Sequence, residues 1–226
     1  MRNRRLFSLR FVFVFFFVTG VLQLLQAQPY SDEIRAFKKQ DSVSFPPKGA
    51  ILFVGSSTFR MWKDIKEDFP GFTIINRGFG GSSIPDVIRY ANDIIFPYRP
   101  RQVVIYCGDN DLANSDSAAS TPQVVFGHFK ELFVLVRKHL PDANILYVSI
   151  KPSPARAQLT SKTQETNALI KAFISVQKNA MFVDIYPSMI NVQGRPDPEL
   201  FEDDRLHMNR RGYVIWRKAI SPYLLK

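Results

Sequence analysis

Along this chain, short and almost wholly apolar runs alternate with longer segments in which apolar residues recur every three or four positions. The short runs lie at residues 50–54, 72–76, 102–107, 145–150 and 181–186, and they are rich in Ile, Val and aromatic residues. Runs of this length and composition, apolar on both faces, predict strands of a parallel sheet covered on each side. Residues 122–140 place Val125, Phe129, Leu132, Phe133, Val136 and Leu140 on one stripe, which predicts an amphipathic helix. Residues 160–177 and 209–225 also read as helices, the last carrying Tyr213, Trp216 and Ile220. A shorter helix is expected to open at Ser31-Asp32-Glu33, ahead of the first strand. No internal repeat or linker interrupts the pattern. The expected fold class is therefore α/β, a three-layer α/β/α domain around a five-stranded parallel sheet.

Composition refines the picture only once the N-terminus is set apart. The 226 residues, 46% hydrophobic and 22% charged, suit one globular domain and exclude collagen, low-complexity disorder and a long coiled coil. A formal charge of +10 invites a nucleic-acid reading. However, residues 1–10 carry Arg2, Arg4, Arg5 and Arg10 with no acid, and the fifteen residues 11–25 are almost entirely apolar. Six of the 20 Phe fall in this region, and Ala27 offers a small residue for cleavage. A basic segment, a short apolar core and a small-residue exit read as a secretory signal peptide over 1–27, leaving one domain at 28–226. An uncleaved membrane anchor is the alternative, but a span wants about 20 apolar residues. No Cys stands at the exit to suggest a lipoprotein. Without the leader, 26 basic residues face 20 acidic ones, a net +6, and no basic run interleaved with aromatics remains. The expectation is an exported protein, periplasmic or secreted, that binds no nucleic acid and keeps no membrane span after cleavage. One cysteine, Cys107, forms no internal disulfide and reads as a buried packing thiol. With three His in the chain, no metal site and no cofactor are expected, and oligomeric state is not legible.

In an open parallel sheet, ligands bind outside the carboxyl ends of the strands. The polar blocks stand there. Gly55-Ser56-Ser57-Thr58 follows the first strand and suits either a helix cap or an exposed nucleophile beside free backbone N–H groups. The α/β-hydrolase elbow requires glycine where Phe59 stands, so that fold is disfavoured. Asn76-Arg77-Gly78-Phe79-Gly80-Gly81 follows the second strand; the third glycine of a dinucleotide fingerprint is replaced by Ser83. The glycines suit a tight turn, or a Gly81 N–H directed at a developing negative charge. Gly108-Asp109-Asn110-Asp111 follows the third strand and brings an amide donor, Asn110, though Asp and Asn also simply form turns. Finally, Asp204-Arg205-Leu206-His207 sets an acid three residues ahead of a histidine, close enough to orient its ring. Each block alone also fits an ordinary cap or turn. Their joint order is the informative feature. His128 and His139 read as surface or packing residues, and Trp62 and Trp216 as core.

Taken together, the four blocks resemble those of the SGNH (GDSL-type) hydrolases, a lipase and acylhydrolase family named for Ser, Gly, Asn and His in separated motifs. The likeness runs from about Ile51 to Tyr223, and the Gly-Ser-Ser block with the Lys-Pro-Ser-Pro-Ala-Arg loop at residues 151–156 is similar to a bacterial group within the family. The resemblance implies a flavodoxin-like SGNH fold and a serine carboxylic-ester hydrolase. It implies catalytic Ser57, Asp204 and His207, and an oxyanion hole made by Ser57 N–H, Gly81 N–H and the Asn110 amide. Most members carry Asp before the nucleophile; here Ser56 stands there and is a rival nucleophile. Asp203 is a candidate second orienting acid, with a solvated cap the alternative. Arg77, Lys151 and Arg156 are candidate substrate-binding cations, with plain surface solvation the alternative for each. The expected substrate is a small-molecule or glycan ester, either a lipid acyl ester or an acetylated carbohydrate. A non-catalytic glycan-binding protein and an acyltransferase remain alternatives on the same fold.

Overall fold

Successive strand side chains point to opposite faces, so five strands apolar throughout need cover on both sides. A computed structural model, which describes residues 29–226, shows how that cover is supplied. The strands are β1 (Ile51–Gly55), β2 (Ile74–Gly78), β3 (Gln102–Tyr106), β4 (Asn144–Val148) and β5 (Ala180–Val183). All pair in parallel, in the order β2-β1-β3-β4-β5. This is the flavodoxin-like winding, in which the strand order reverses between β1 and β3 and opens a crevice there. The predicted leader lies outside the described residues. Among the described residues, no helix is long and apolar enough to cross a membrane.

The helices are α1 (Ser31–Val43), α2 (Ser57–Arg60), α3 (Ile65–Asp68), α4 (Ile84–Arg89), α5 (Ala91–Ile94), α6 (Asp109–Leu112), α7 (Pro122–His139), α8 (Thr160–Ile174) and α9 (Arg210–Ile220). On one face Leu52, Val54, Val103, Ile105, Ile145 and Tyr147 pack under α1, α4, α5, α7 and α8, with Val125, Phe129, Leu132, Phe133 and Val136 as the predicted α7 stripe. On the other face Ile51, Phe53, Val104, Tyr106, Leu146 and Val148 meet α2, α3 and α9 through Phe59, Ile65, Tyr213, Trp216 and Ile220. Both tryptophans belong to this second core, as expected. Trp62 lies 4.9 Å from the Tyr213 ring and Trp216 4.8 Å from the Tyr106 ring, centroid to centroid.

Boundaries differ from the predicted ones for physical reasons. β2 starts at Ile74 and continues through Arg77 and Gly78, because Gly78 pairs with Gly55 at the end of β1. β5 stops at Val183, where Asp184 Oδ1 accepts the Tyr186 N–H and turns the chain. α9 stops at Ile220, ahead of Pro222. Five short helices, α2 to α6, hold too few turns to show a period.

Truncation of a large buried aromatic costs about 3–5 kcal/mol. Trp216→Ala is therefore expected to lower Tm by roughly 10 °C. Val176→Ala, at a side chain exposed on the surface, should leave Tm within about 2 °C. Equal melting temperatures for the two variants would contradict the core assignment.

Candidate active site

β1 and β3 lie side by side, and both leave the sheet through a glycine with positive φ, Gly55 at 141° and Gly108 at 122°. At Gly55 the reason is close approach. A Cβ there would sit 1.8 Å from the Tyr106 carbonyl oxygen, the acceptor for the Ser56 N–H. Ser56 then caps α2, and Ser57 is the first residue of that helix, where a backbone N–H has no intrahelical acceptor. The two serines differ sharply. Ser56 is fully buried, and its hydroxyl has no hydrogen-bond partner among the described residues. Ser57 Oγ lies 3.0 Å from His207 Nε2, across 150 positions of sequence.

His207 arrives on a closed turn. Phe201 and Met208 form an antiparallel bridge, and the Glu202 N–H donates to the His207 carbonyl at 2.8 Å. Inside the turn Arg205 takes the left-handed conformation, with φ of 58°. Asp204 Oδ1 accepts the N–H groups of Leu206 and His207, both at 2.9 Å, while Oδ2 lies 2.5 Å from His207 Nδ1. Burial raises the Asp204 carboxyl pKa, but these three hydrogen bonds outweigh it and bring the value down to about 2. A carboxylate on Nδ1 keeps the proton there and leaves Nε2 as acceptor for the Ser57 hydroxyl. Asp203 is exposed and makes no side-chain hydrogen bond among the described residues. The turn is moored behind. Asp68 accepts from both terminal guanidinium nitrogens of Arg210, at 2.5 and 2.6 Å, and from the Trp62 indole N–H at 2.7 Å.

Two backbone N–H groups and one side-chain amide are the candidate donors here. Neither Ser57 N–H nor Gly81 N–H has an acceptor among the described residues. Asn110 Nδ2 donates to the Ser82 carbonyl at 3.1 Å and stands 3.8 Å from where a Gly81 Cβ would be. The loop carrying Gly81 is pinned at several points. Asn76 Nδ2 donates to the Phe59 carbonyl at 2.7 Å, Ser82 Oγ to the Gly55 carbonyl at 3.1 Å, and Glu33 of α1 accepts the Gly80 N–H at 3.0 Å. Asp111 accepts the Ile84 N–H at 3.1 Å on each oxygen, which ties the start of α4 to α6. Burial raises the Asp111 pKa. His128 packs half-buried beside it, and His139 stacks on Phe96 at 4.2 Å, as packing histidines.

The three candidate substrate-binding cations separate. Arg77 is corrected. Its guanidinium is buried between the Phe37 and Tyr98 rings and bound to Asp41 and the Tyr98 hydroxyl, at 2.5 and 2.7 Å. As strand side chains alternate, Asn76 faces the site and Arg77 the opposite layer. Lys151 is buried too, not solvated, and reaches Asp109 at 3.2 Å. Arg156 is the one beside the site, donating from Nη2 to Asn110 Oδ1 at 2.8 Å. Sequence reasoning took Asp109 and Asp111 for turn formers and missed their structural work. It also missed Glu33, whose partner lies 47 positions away. Cys107 is buried, as expected, and burial pushes its thiol pKa well up. Among the described residues, no three His, Cys, Asp or Glu side chains gather as metal ligands.

Comparison with known proteins agrees with this fold. The chain is 26% identical over 185 residues to platelet-activating factor acetylhydrolase IB subunit alpha1 of Rattus norvegicus, covering 78% of this chain and 75% of that protein. Its fold is similar to that of a GDSL-like lipase from Bacteroides thetaiotaomicron, with TM-score 0.69, 21% identity, and 84% and 96% of the two chains covered. It is also similar to a catalytic mutant of an acetylxylan esterase from Geobacillus stearothermophilus, with TM-score 0.60, 14% identity, and 77% and 93% covered. Residues 51–215, which hold β1 through most of α9 and every group of the site, match the model of the GDSL-like lipase/acylhydrolase family, and the chain belongs to that family.

Proposed function

We propose that this protein is an exported serine esterase that removes short acyl groups from an alcohol through an acyl-enzyme intermediate. The observation that carries the reading is the 3.0 Å contact between Ser57 Oγ and His207 Nε2, on a ring whose other nitrogen is held by Asp204. His207 takes the Ser57 proton as Oγ attacks the ester carbonyl, and the Asp204 carboxylate stabilises the imidazolium that forms. The tetrahedral oxyanion is received by the N–H groups of Ser57 and Gly81 and by the Asn110 amide, a pair of backbone donors plus one side chain. His207 then protonates the leaving alcohol. Water, deprotonated by the same nitrogen, releases the acid. A short acyl group is favoured by the names of similar proteins, an acetylhydrolase and an acetylxylan esterase. Export is favoured by the basic, apolar character of residues 1–27.

Ser57→Ala should abolish hydrolysis of p-nitrophenyl acetate, while Ser56→Ala keeps most of it; the opposite result would make Ser56 the nucleophile. Asn110→Ala should lower kcat by about 10²–10³ while KM changes far less. An equal effect on both constants would reduce Asn110 to a binding group. For Asp204 the sign follows from a depressed native pKa. Its contribution to stability is complete above the unfolded carboxylate range near pH 4 and is lost as pH falls through about 2. The Tm difference between wild type and Asp204→Asn should accordingly shrink from pH 6 to pH 3. A gap that stays constant would show that the carboxylate charge is not what the turn uses.

A further inference from the structure

An amide donor differs from a backbone N–H in one respect: turned over about its last torsion, it presents an acceptor instead. Asn110 is the single side-chain donor in the proposed oxyanion hole, so its orientation decides whether the hole attracts or repels a negative oxygen. Two contacts fix it. Nδ2 donates to the Ser82 carbonyl at 3.1 Å, and Oδ1 accepts from Arg156 Nη2 at 2.8 Å. Inverted, the amide would set oxygen against oxygen at Ser82 and N–H against N–H at Arg156. The Arg156 contact is charge-assisted and therefore the stronger of the two.

Arg156 is in turn built into the protein. Its Nη1 lies 3.3 Å from Asp109 Oδ2, and that same oxygen accepts from Lys151 Nζ at 3.2 Å and from the Tyr106 hydroxyl at 3.1 Å. Asp109 and Lys151 side chains are 8% and 2% exposed, and Arg156 is 19% exposed. Burial opposes the Asp109 charge, but the two cations beside it more than reverse that and keep it ionised. The loop that delivers Arg156 also touches the other half of the site, since the Ala155 N–H donates to the Arg205 carbonyl at 3.0 Å within the turn that carries Asp204 and His207. One loop thus braces the amide donor and the acid–base turn together.

We propose that Arg156 is a positioning residue that locks Asn110 as a donor toward the oxyanion hole. It acts through Asn110 and does not hold the substrate. The inference rests on the esterase reading and on Asn110 as oxyanion donor.

The test is a kinetic double-mutant cycle on p-nitrophenyl acetate with Arg156→Ala, Arg156→Lys, Asn110→Ala and the double variant Arg156→Ala/Asn110→Ala. Arg156→Ala is expected to lower kcat by about 10- to 100-fold with KM within about twofold, part of the loss expected for Asn110→Ala. Arg156→Lys, which keeps a charged donor, should recover a measurable share of kcat. In the Asn110→Ala background, Arg156→Ala should cost almost nothing more, because the group it positions is gone. Two results would overturn the proposal: a rise in KM at unchanged kcat, which would make Arg156 a substrate ligand, or an undiminished loss in the Asn110→Ala background. In either case an active wild type and an inactive Ser57→Ala variant would leave the esterase reading standing. Should the wild type itself be inactive, both would fall together.

Discussion

The site depends on two parallel strands ending side by side. β1 and β3 are hydrogen-bonded neighbours in which Gly55 pairs with Tyr106, so the loops that follow them start a few ångströms apart. One loop opens α2 with Ser57 and the other opens α6 with Asp109, Asn110 following at once. Because the winding reverses between these two strands, no crossover helix fills the space above them. Gly55 tightens the junction further, since any side chain there would collide with the Tyr106 carbonyl that receives the Ser56 N–H. The serine and its amide partner are thus positioned by backbone pairing deep in the sheet. Only the histidine must be brought from afar.

That second task falls to α9 and its entry turn. Trp216, Tyr213 and Ile220 bury α9 against β1 and β3, and Asp68 clasps Arg210 at its first turn. The turn immediately before it then needs only local bonds, from Asp204 to Leu206 and His207, to aim the imidazole. A helix anchored by aromatic packing carries a short loop fixed by hydrogen bonds, and mobility is removed in two stages. Buried charge does similar work on the opposite side, where Asp109, Lys151 and Arg156 form a cluster that would be costly if any member lacked its partner.

Much of this was legible in the amino-acid order. Five apolar runs gave the sheet because buried parallel strands need no polar face, and the α7 stripe was long enough for its period to show. Ser57, Gly81, Asn110, Asp204 and His207 stood out as candidates because each block follows a strand or precedes a helix, and their roles came only from the resemblance of the four blocks to the family. What escaped were pairings across long sequence distances. Arg77 was expected at the cleft, yet strand alternation turns it toward Asp41 and Tyr98. Lys151 looked like a solvated cation, and only the fold reveals that Asp109 waits for it in the interior. Helices of four to six residues carry no periodic signal; α4 opens on a capping box of Ser83 and Asp86, and α5 has no side-chain cap and rests on packing.

The proposed chemistry turns on the Ser57 hydroxyl, activated through His207, as the group that attacks the substrate. Peptide mapping by mass spectrometry after reaction with a fluorophosphonate tests it most directly, because the reagent marks the activated serine covalently. One adduct is expected, on Ser57, and it disappears in a His207→Ala variant. An adduct on Ser56, or on Ser57 at an undiminished rate without His207, would contradict it.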